Sequence, residues 1–388
     1  MTLPNRQARV MTTLWTADHL AGLVRAAAGT IPLVAQPDRS GLDPAFVYWD
    51  MWPLQGPDGS PARLAGREVW MALTAPQRGD PALRHFEAKI HWLERADSAW
   101  RDLGPVLPDF AVPYEREWAG SAVLKDGVVT LFFTAAGTAQ QPGGYQQSLW
   151  ATSAPLAPDG WPAGWSAPAP LIARPSPLYQ LADAHDGAPG MIKAFRDPAW
   201  FRDPADGAEY LAFTASLGGS TSAFNGAFGL AAKSAGEWQL LPPLIAANGV
   251  NNELERAHLV YHKGRYYAFW STQSHTFAPH LRAAPTGLYG MVADSLLGEY
   301  RPLNGSGLVL ANPADEPHQT YSWFVDASLQ VCSFVDFHGL GGSPIPAEPK
   351  AANAAFGGVP APLLKLEIRG DACQLASIME GLADAGCN

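Results

Sequence analysis

Three acidic residues sit where a carboxylate is costly to place. Asp50 lies between two tryptophans in Val47-Tyr48-Trp49-Asp50-Met51-Trp52-Pro53, Asp197 follows an arginine in Phe195-Arg196-Asp197-Pro198, and Glu255 precedes one in Glu253-Leu254-Glu255-Arg256. A carboxylate flanked by large aromatic rings loses hydration and keeps its charge only where partners or a ligand compensate. Cleaving a glycosidic bond with retention needs such groups: two carboxyls about 5–5.5 Å apart, one attacking the anomeric carbon and one protonating the leaving oxygen. Their proton affinities must differ, and an arginine beside one with a negative charge beside the other separates them. Taken singly, each motif fits a structural ion pair as well. Arg202-Asp203-Pro204 repeats the Arg-Asp-Pro pattern at a hairpin turn, where Asp and Pro are ordinary turn residues, and is read as structural.

Other chemistries find little support. His258 and His262 are four apart but flank a hairpin instead of sharing a helix face, which argues against a common metal. There is no HExxH, no GxSxG and no phosphate-binding glycine loop, and Leu303-Asn304-Gly305-Ser306-Gly307 reads as a turn. The three cysteines, Cys332, Cys373 and Cys387, show no CxxC spacing; they read as free or buried thiols, with a Cys332–Cys373 bridge as the alternative. No cofactor and no metal is expected. Of the 14 tryptophans most are assigned to packing and a few to a sugar face.

The elements that must carry these residues are short strands. A helical segment is expected at about 11–30, capped by Thr16 and running through Asp18, His19, Leu20 and Val24 to the alanines at 26–28. After it, runs rich in Val, Phe, Tyr and Trp alternate with turns: 68–74, 121–124 with 128–134, 198–201 with 209–214, and 258–261 with 265–270. Lys125-Asp126-Gly127, Pro204-Ala205-Asp206-Gly207 and His262-Lys263-Gly264 join three of the pairs as repeated hairpins. Such antiparallel hairpins without alternating helices fit an all-β sandwich, barrel or propeller, and the pattern alone does not choose.

With 388 residues, 47% hydrophobic and 16% charged, the chain can bury a large core, and no linker divides it. One catalytic domain over 1–388 is expected, with a C-terminal tail from about 370. A formal charge of -10 and no basic stripe argue against nucleic acid. No uncharged apolar run suggests a membrane span or a conventional signal peptide, so either cytoplasmic residence or export by another route is expected.

Together the motifs resemble glycoside hydrolase family 68, the levansucrase, inulosucrase and β-fructofuranosidase group. The resemblance runs from about Leu14 to about Leu366 and rests on 48–53, Glu117-Trp118-Ala119-Gly120-Ser121-Ala122, 195–198, 253–256, 303–307 and Tyr321-Ser322-Trp323, in the family's order. It implies a five-bladed β-propeller with a deep axial pocket. It implies Asp50 as nucleophile, Asp197 as transition-state stabiliser and Glu255 as acid/base, with Trp49, Trp118, Ser121, Arg196, Glu253, Arg256 and Tyr321 contacting sugar. His275, in Ser274-His275-Thr276-Phe277, is placed on the acceptor side.

The implied activity is transfer of a fructosyl unit from sucrose, through a covalent fructosyl-enzyme intermediate, to sugar acceptors, giving levan or fructooligosaccharides, or to water; a monomer is expected. A mainly hydrolytic β-fructofuranosidase and a non-catalytic carbohydrate-binding propeller are the alternatives. Calcium-binding relatives carry an Asp before the Glu-x-Glu-Arg segment where this chain has Asn252, which argues against that metal. Plant- and yeast-type invertases append a β-sandwich, for which too few residues follow Tyr321, and have Glu-Cys where this chain has Glu255-Arg256.

Overall fold

A computed structural model describes residues 10–23, 29–96, 99–172, 176–188 and 191–379. Strands dominate, arranged as five antiparallel meanders of four main strands each. The first runs through Phe46–Gln55, Arg67–Pro76, Lys89–Ala96 and Ala99–Pro105, and the second through Arg116–Lys125, Val128–Ala136, Gln147–Pro155 and Ala169–Pro170. A short parallel pairing of Leu54 with Ala122 and Gln55 with Val123 merges these two into one nine-stranded sheet. The third meander is Phe195–Arg202, Glu209–Ser216, Gly226–Ser234 and Glu237–Ala246; the fourth is Glu255–His262, Arg265–Thr272, Gly287–Ala293 and Leu308–Ala311. The fifth begins with Thr320–Val325 and Gln330–Phe337 and ends with Leu363–Arg369 and Ala372–Met379.

N-terminal chain closes two of these sheets from outside. Thr13–Leu14 pairs in parallel with the last strand of the third, and Gly29–Thr30 with the last strand of the fourth. Between them lies the helix, Ala17–Ala21, shorter than the sequence suggests. Thr16 precedes it, its amide donating to His19 Nδ1 at 3.1 Å. The expected continuation through 24–28 lies outside the described residues. The expected C-terminal tail is a strand as far as Met379, because Ala372–Met379 pairs along the length of Leu363–Arg369.

The expected hairpins are present, and their turn chemistry is the reason. Asp126-Gly127 and Lys263-Gly264 form two-residue loops with both residues at positive φ (52° and 74°; 47° and 83°), the conformation that matches the right-handed twist of the flanking strands. Ala65-Gly66 and Ala235-Gly236 do the same in the first and third meanders.

The first strands of the five meanders pack in sequence: the first against the second, the second against the third, onward to the fifth, which returns against the first. Among the described residues no hydrogen-bonded sheet closes, and in this ring, apart from the short parallel pairing of the first two, the inner strands meet by side-chain packing. One apolar cluster runs through it, from Trp15 through Trp49, Trp52, Trp70, Trp270 and Trp323 to Cys373. These buried indoles each cover a large apolar area and so dominate the packing of the core. Cys332 and Cys373 are both buried free thiols, so the Cys332–Cys373 bridge is not formed. No helix among the described residues is long and apolar enough to cross a membrane.

Candidate active site

Each of the five inner strands carries one extra residue relative to its hairpin partner, at the same point. The pairing shifts between Trp49 and Trp52, Trp118 and Gly120, Arg196 and Ala199, Glu255 and His258, and Tyr321 and Phe324. In four of the strands the residue after the first of these is left-handed: Asp50 (φ 44°), Asp197 (58°), Arg256 (54°) and Ser322 (59°). Non-glycine residues rarely adopt this conformation, and a β-bulge re-aims side chains that regular alternation would send to opposite faces. Trp49-Asp50, Trp118-Ala119, Arg196-Asp197, Glu255-Arg256 and Tyr321-Ser322 are therefore equivalent pairs, and they contain eight of the eleven residues singled out above.

Arg196 is the hub of the acidic side. Its Nη2 donates to Glu255 Oε1 at 2.6 Å and lies 3.2 Å from Glu253 Oε2, while Nε is 3.7 Å from Asp197 Oδ2. Burial opposes its charge, but the three carboxylates outweigh that and raise its pKa. Tyr321 donates its hydroxyl to the other Glu255 oxygen, Oε2. Asp197 accepts from Thr214 Oγ1 at 2.8 Å and from the Arg256 amide at 3.2 Å, and its own amide donates to Thr134 Oγ1 at 2.7 Å. Burial, then the Glu255 charge, push the Asp197 carboxyl up against the pull of Arg196 and Arg256. Glu253 is raised by burial and by Glu255.

Asp50 is only partly accessible, and desolvation raises its carboxyl to about 6. Arg256 is the largest opposing influence, followed by the Ser322 hydroxyl; Asp197 and Glu255 push the other way. The Arg256 side chain is buried, with Nη2 donating to Met51 O at 3.1 Å and the guanidinium over the rings of Trp52 and Phe324. Its Nη1 and the Ser322 hydroxyl are buried with no geometrically complete hydrogen bond. Two acids from distant inner strands thus share one electrostatic site, each with a cation assigned to it: Asp50 to Arg256, Glu255 to Arg196.

Trp49 and Trp118 are buried and flank the same region. His85 meets Trp49 edge-on at 6.0 Å and accepts from Trp118 Nε1 through its carbonyl at 3.0 Å. His275 lies within electrostatic reach of Glu255, and burial lowers its pKa. Ser121 is the exception among the expected sugar contacts. Its hydroxyl donates to Pro198 O and accepts from the Trp200 amide, both at 2.9 Å, so it joins the second inner strand to the third and its proton is already committed.

His258 is spoken for as well. Its Nε2 accepts from the Val325 amide at 2.8 Å, so Nδ1 carries the proton and donates to Arg256 O at 2.6 Å, leaving nothing for a metal. Asp203 accepts from the Ala205 amide and from Tyr266, as a turn residue does. A cavity of 170 Å³ beside Gln147, Tyr179 and Phe195 is bordered by none of the three acids.

Sequence reading missed Arg84, His85, Thr214, Ser322 and Asp336. Arg84 stacks on Trp49 and lies 3.8 Å from Asp336 Oδ1, and that carboxyl is raised to about 7 by burial and, in part, by Asp50. An acid interrupting the apolar run 331–337 was the one signal available for it.

The family model for glycoside hydrolase family 68, described as Levansucrase/Invertase, matches residues 4–228 and 221–382. The chain belongs to this family. The levansucrase of Rahnella aquatilis is 30% identical over 96% of this chain and 95% of its own length, and that of Erwinia amylovora 31% over 92% and 93%. Among solved structures, the inulosucrase from Halalkalicoccus jeotgali bound to kestose superposes with a TM-score of 0.86 at 36% identity, covering 96% of this chain and all of that one. The Bacillus subtilis levansucrase complexed with oligosaccharides, at 20% identity and a TM-score of 0.76, shares the fold. This family 68 enzyme therefore carries its acids on the inner-strand bulges of a fold common to sugar-bound relatives.

The resemblance also raises calcium, and the residues present do not fit it. The Asn252 carbonyl oxygen accepts from the Lys193 ammonium at 2.6 Å, so a full positive charge already stands beside it. Calcium gathers about six to eight oxygen ligands around a doubly positive ion, and an ammonium in contact with one of those oxygens would repel it.

Proposed function

We propose that this protein is a retaining fructosyltransferase acting on sucrose, built as a five-bladed β-propeller whose axis opens onto the acids in a deep pocket. The observation that carries the reading is that Asp50, Asp197 and Glu255 occupy or adjoin equivalent bulges of three inner strands and influence one another electrostatically. The ring of packed inner strands supports the propeller.

In this mechanism Asp50, ionised above about pH 6 and favoured in that form by the Arg256 charge, attacks C2 of the fructosyl unit. Glu255 gives a proton to the oxygen that leaves with glucose. As its charge returns, Arg196 and Tyr321 hold the carboxylate in place. Asp197, fixed by Thr214 and the Arg256 amide, faces the developing positive charge of the oxocarbenium-like state. The displacement leaves the fructosyl unit bound covalently to Asp50; the same Glu255 then takes a proton from the acceptor as the acceptor oxygen attacks C2 and the Asp50 carboxylate leaves. Water yields fructose, sucrose yields short oligosaccharides, and a growing chain yields levan, with His275 on the acceptor side near Glu255.

The test is the ratio of free glucose to free fructose released from concentrated sucrose, together with the Asp50→Ala and Glu255→Ala variants. Excess glucose is expected, and both variants should lose turnover by about 10⁴-fold or more while retaining the β-type circular dichroism spectrum. Equal sugars would identify a hydrolytic β-fructofuranosidase. Sucrose turnover surviving in either variant would remove the assignment of roles.

A further inference from the structure

Where the third meander hands over to the fourth, an ammonium group sits among neutral oxygens. Lys193 Nζ donates to Ala223 O at 2.6 Å, Asn225 Oδ1 at 2.8 Å and Asn252 Oδ1 at 2.6 Å. Three donors meet three acceptors, so the ammonium is fully satisfied without a carboxylate in direct contact. The acceptors come from two segments: the loop that leads into Gly226–Ser234 and the link between Glu237–Ala246 and Glu255–His262. Both amides are completely buried.

Each amide is also held from its other end. Asn225 Nδ2 donates to Leu217 O at 3.1 Å, and Asn252 Nδ2 donates to Ile192 O at 3.1 Å and Glu253 Oε1 at 3.3 Å. The two segments approach so closely that a Cβ on Gly226 would fall 2.8 Å from the Asn252 backbone. A continuous line of contacts thus runs from Lys193 through Asn252 to Glu253, and from there through Arg196 to Glu255.

We propose that Lys193 is the resident cation of this junction, its ammonium cross-linking the two segments in the way a bound metal ion would, and that it is a positioning residue for Glu253 and, through Arg196, for Glu255. The chemistry of the acceptors fits the assignment. Two amide oxygens and one backbone carbonyl, with Glu253 as the charge acting on the lysine from further off, suit a single positive charge and are too few and too neutral for a divalent ion. Because the cation is covalently attached, its occupancy does not depend on any ion in solution.

Thermal unfolding and sucrose kinetics of the full chain and of Lys193→Met, Lys193→Arg and Lys193→Ala test this, each with EDTA, with calcium chloride or with n-propylammonium chloride. The unaltered protein should hold its Tm within about 1 °C in EDTA and in calcium. Lys193→Met should lower Tm by roughly 3 °C or more and kcat/KM by about tenfold, with Lys193→Arg retaining more of both. Lys193→Ala should regain Tm when n-propylammonium fills the space of the missing side chain. A fall in Tm of the unaltered protein on chelation would overturn the proposal, as would Lys193→Met matching the unaltered protein, or Lys193→Arg doing no better than Lys193→Met. If Lys193→Ala does not fold, the Met and Arg pair decides. The kinetic arm rests on the proposed activity; absence of sucrose turnover in the unaltered protein would sink that activity and leave the thermal arm to judge Lys193.

Discussion

Arg196 on the third inner strand reaches Glu255 on the fourth, Nη2 to Oε1 at 2.6 Å, and so ties the acid/base candidate to the strand that carries Asp197. The same guanidinium serves Glu253, and its nearly complete burial means that Glu253 and Glu255 both depend on its charge, with Asp197 3.7 Å away. Arg196→Met should therefore cost more than a hydrogen bond. Leaving buried carboxylates uncompensated costs about 3–5 kcal/mol, and urea denaturation is expected to show a loss of that order. Sucrose turnover should fall at least 100-fold, and Arg196→Lys should recover only part of it, because an ammonium cannot reproduce the planar fork.

The pH dependence of kcat/KM should have an acid limb near 6, the value to which burial raises Asp50, because attack needs the ionised carboxylate. The same shift has a stability consequence. A carboxyl whose pKa is raised on folding favours the native state when protonated, so Asp50 begins to cost stability as pH rises past about 4, its ordinary value, and costs most above about 6. Asp50→Asn should accordingly be more stable than the unaltered protein at pH 7.5, by roughly 1 kcal/mol after allowance for its partial exposure, and no more stable at pH 3.5. Thermal melts at the two pH values check this.

Ser322 acts on the same limb. Its hydroxyl is buried and lowers the Asp50 carboxyl, second only to Arg256. Ser322→Ala should move the acid limb of kcat/KM upward by several tenths of a pH unit. An unmoved limb would show that the hydroxyl plays no part in setting the charge on Asp50.

Gly120 tests the second bulge. A Cβ there would lie 1.9 Å from Phe132 O, against backbone that cannot yield without moving the strand. Gly120→Ala should cost about 2 kcal/mol or more and disturb Trp118 at the other end of the register shift, lowering Tm and sucrose turnover together. Calorimetry beside steady-state kinetics would show both.

Local chemistry made much of this protein readable from its residues. Asp126-Gly127 and Lys263-Gly264 announced their hairpins because left-handed turn residues are a property of two positions in the chain. Asp203-Pro204 declared itself a turn through its residue types, the Asp203 side chain accepting from the Ala205 amide. The pairs Trp49-Asp50, Arg196-Asp197 and Glu255-Arg256 were conspicuous because an acid beside an aromatic or an arginine raises an electrostatic question within two residues. Ser121 shows the complementary case. A serine's type says that it can hydrogen bond, while only its neighbours say to what, and here Pro198 and Trp200 of another meander take its proton and one acceptor position.

Tertiary structure decided the rest. The register shift that turns Asp50, Asp197, Arg256 and Ser322 to the same purpose is a relation between an inner strand and its hairpin partner, and neither strand carries a mark of it alone. The assignment of Arg256 to Asp50 and of Arg196 to Glu255 needs sheets far apart in the chain to pack in a ring. So does the cation Lys193 provides to Asn225 and Asn252, across 32 and 59 residues of sequence. Residue type fixes which charges and donors a chain possesses; Coulomb and hydrogen-bond energies fall off over a few ångströms, so only the packed fold settles which of them meet.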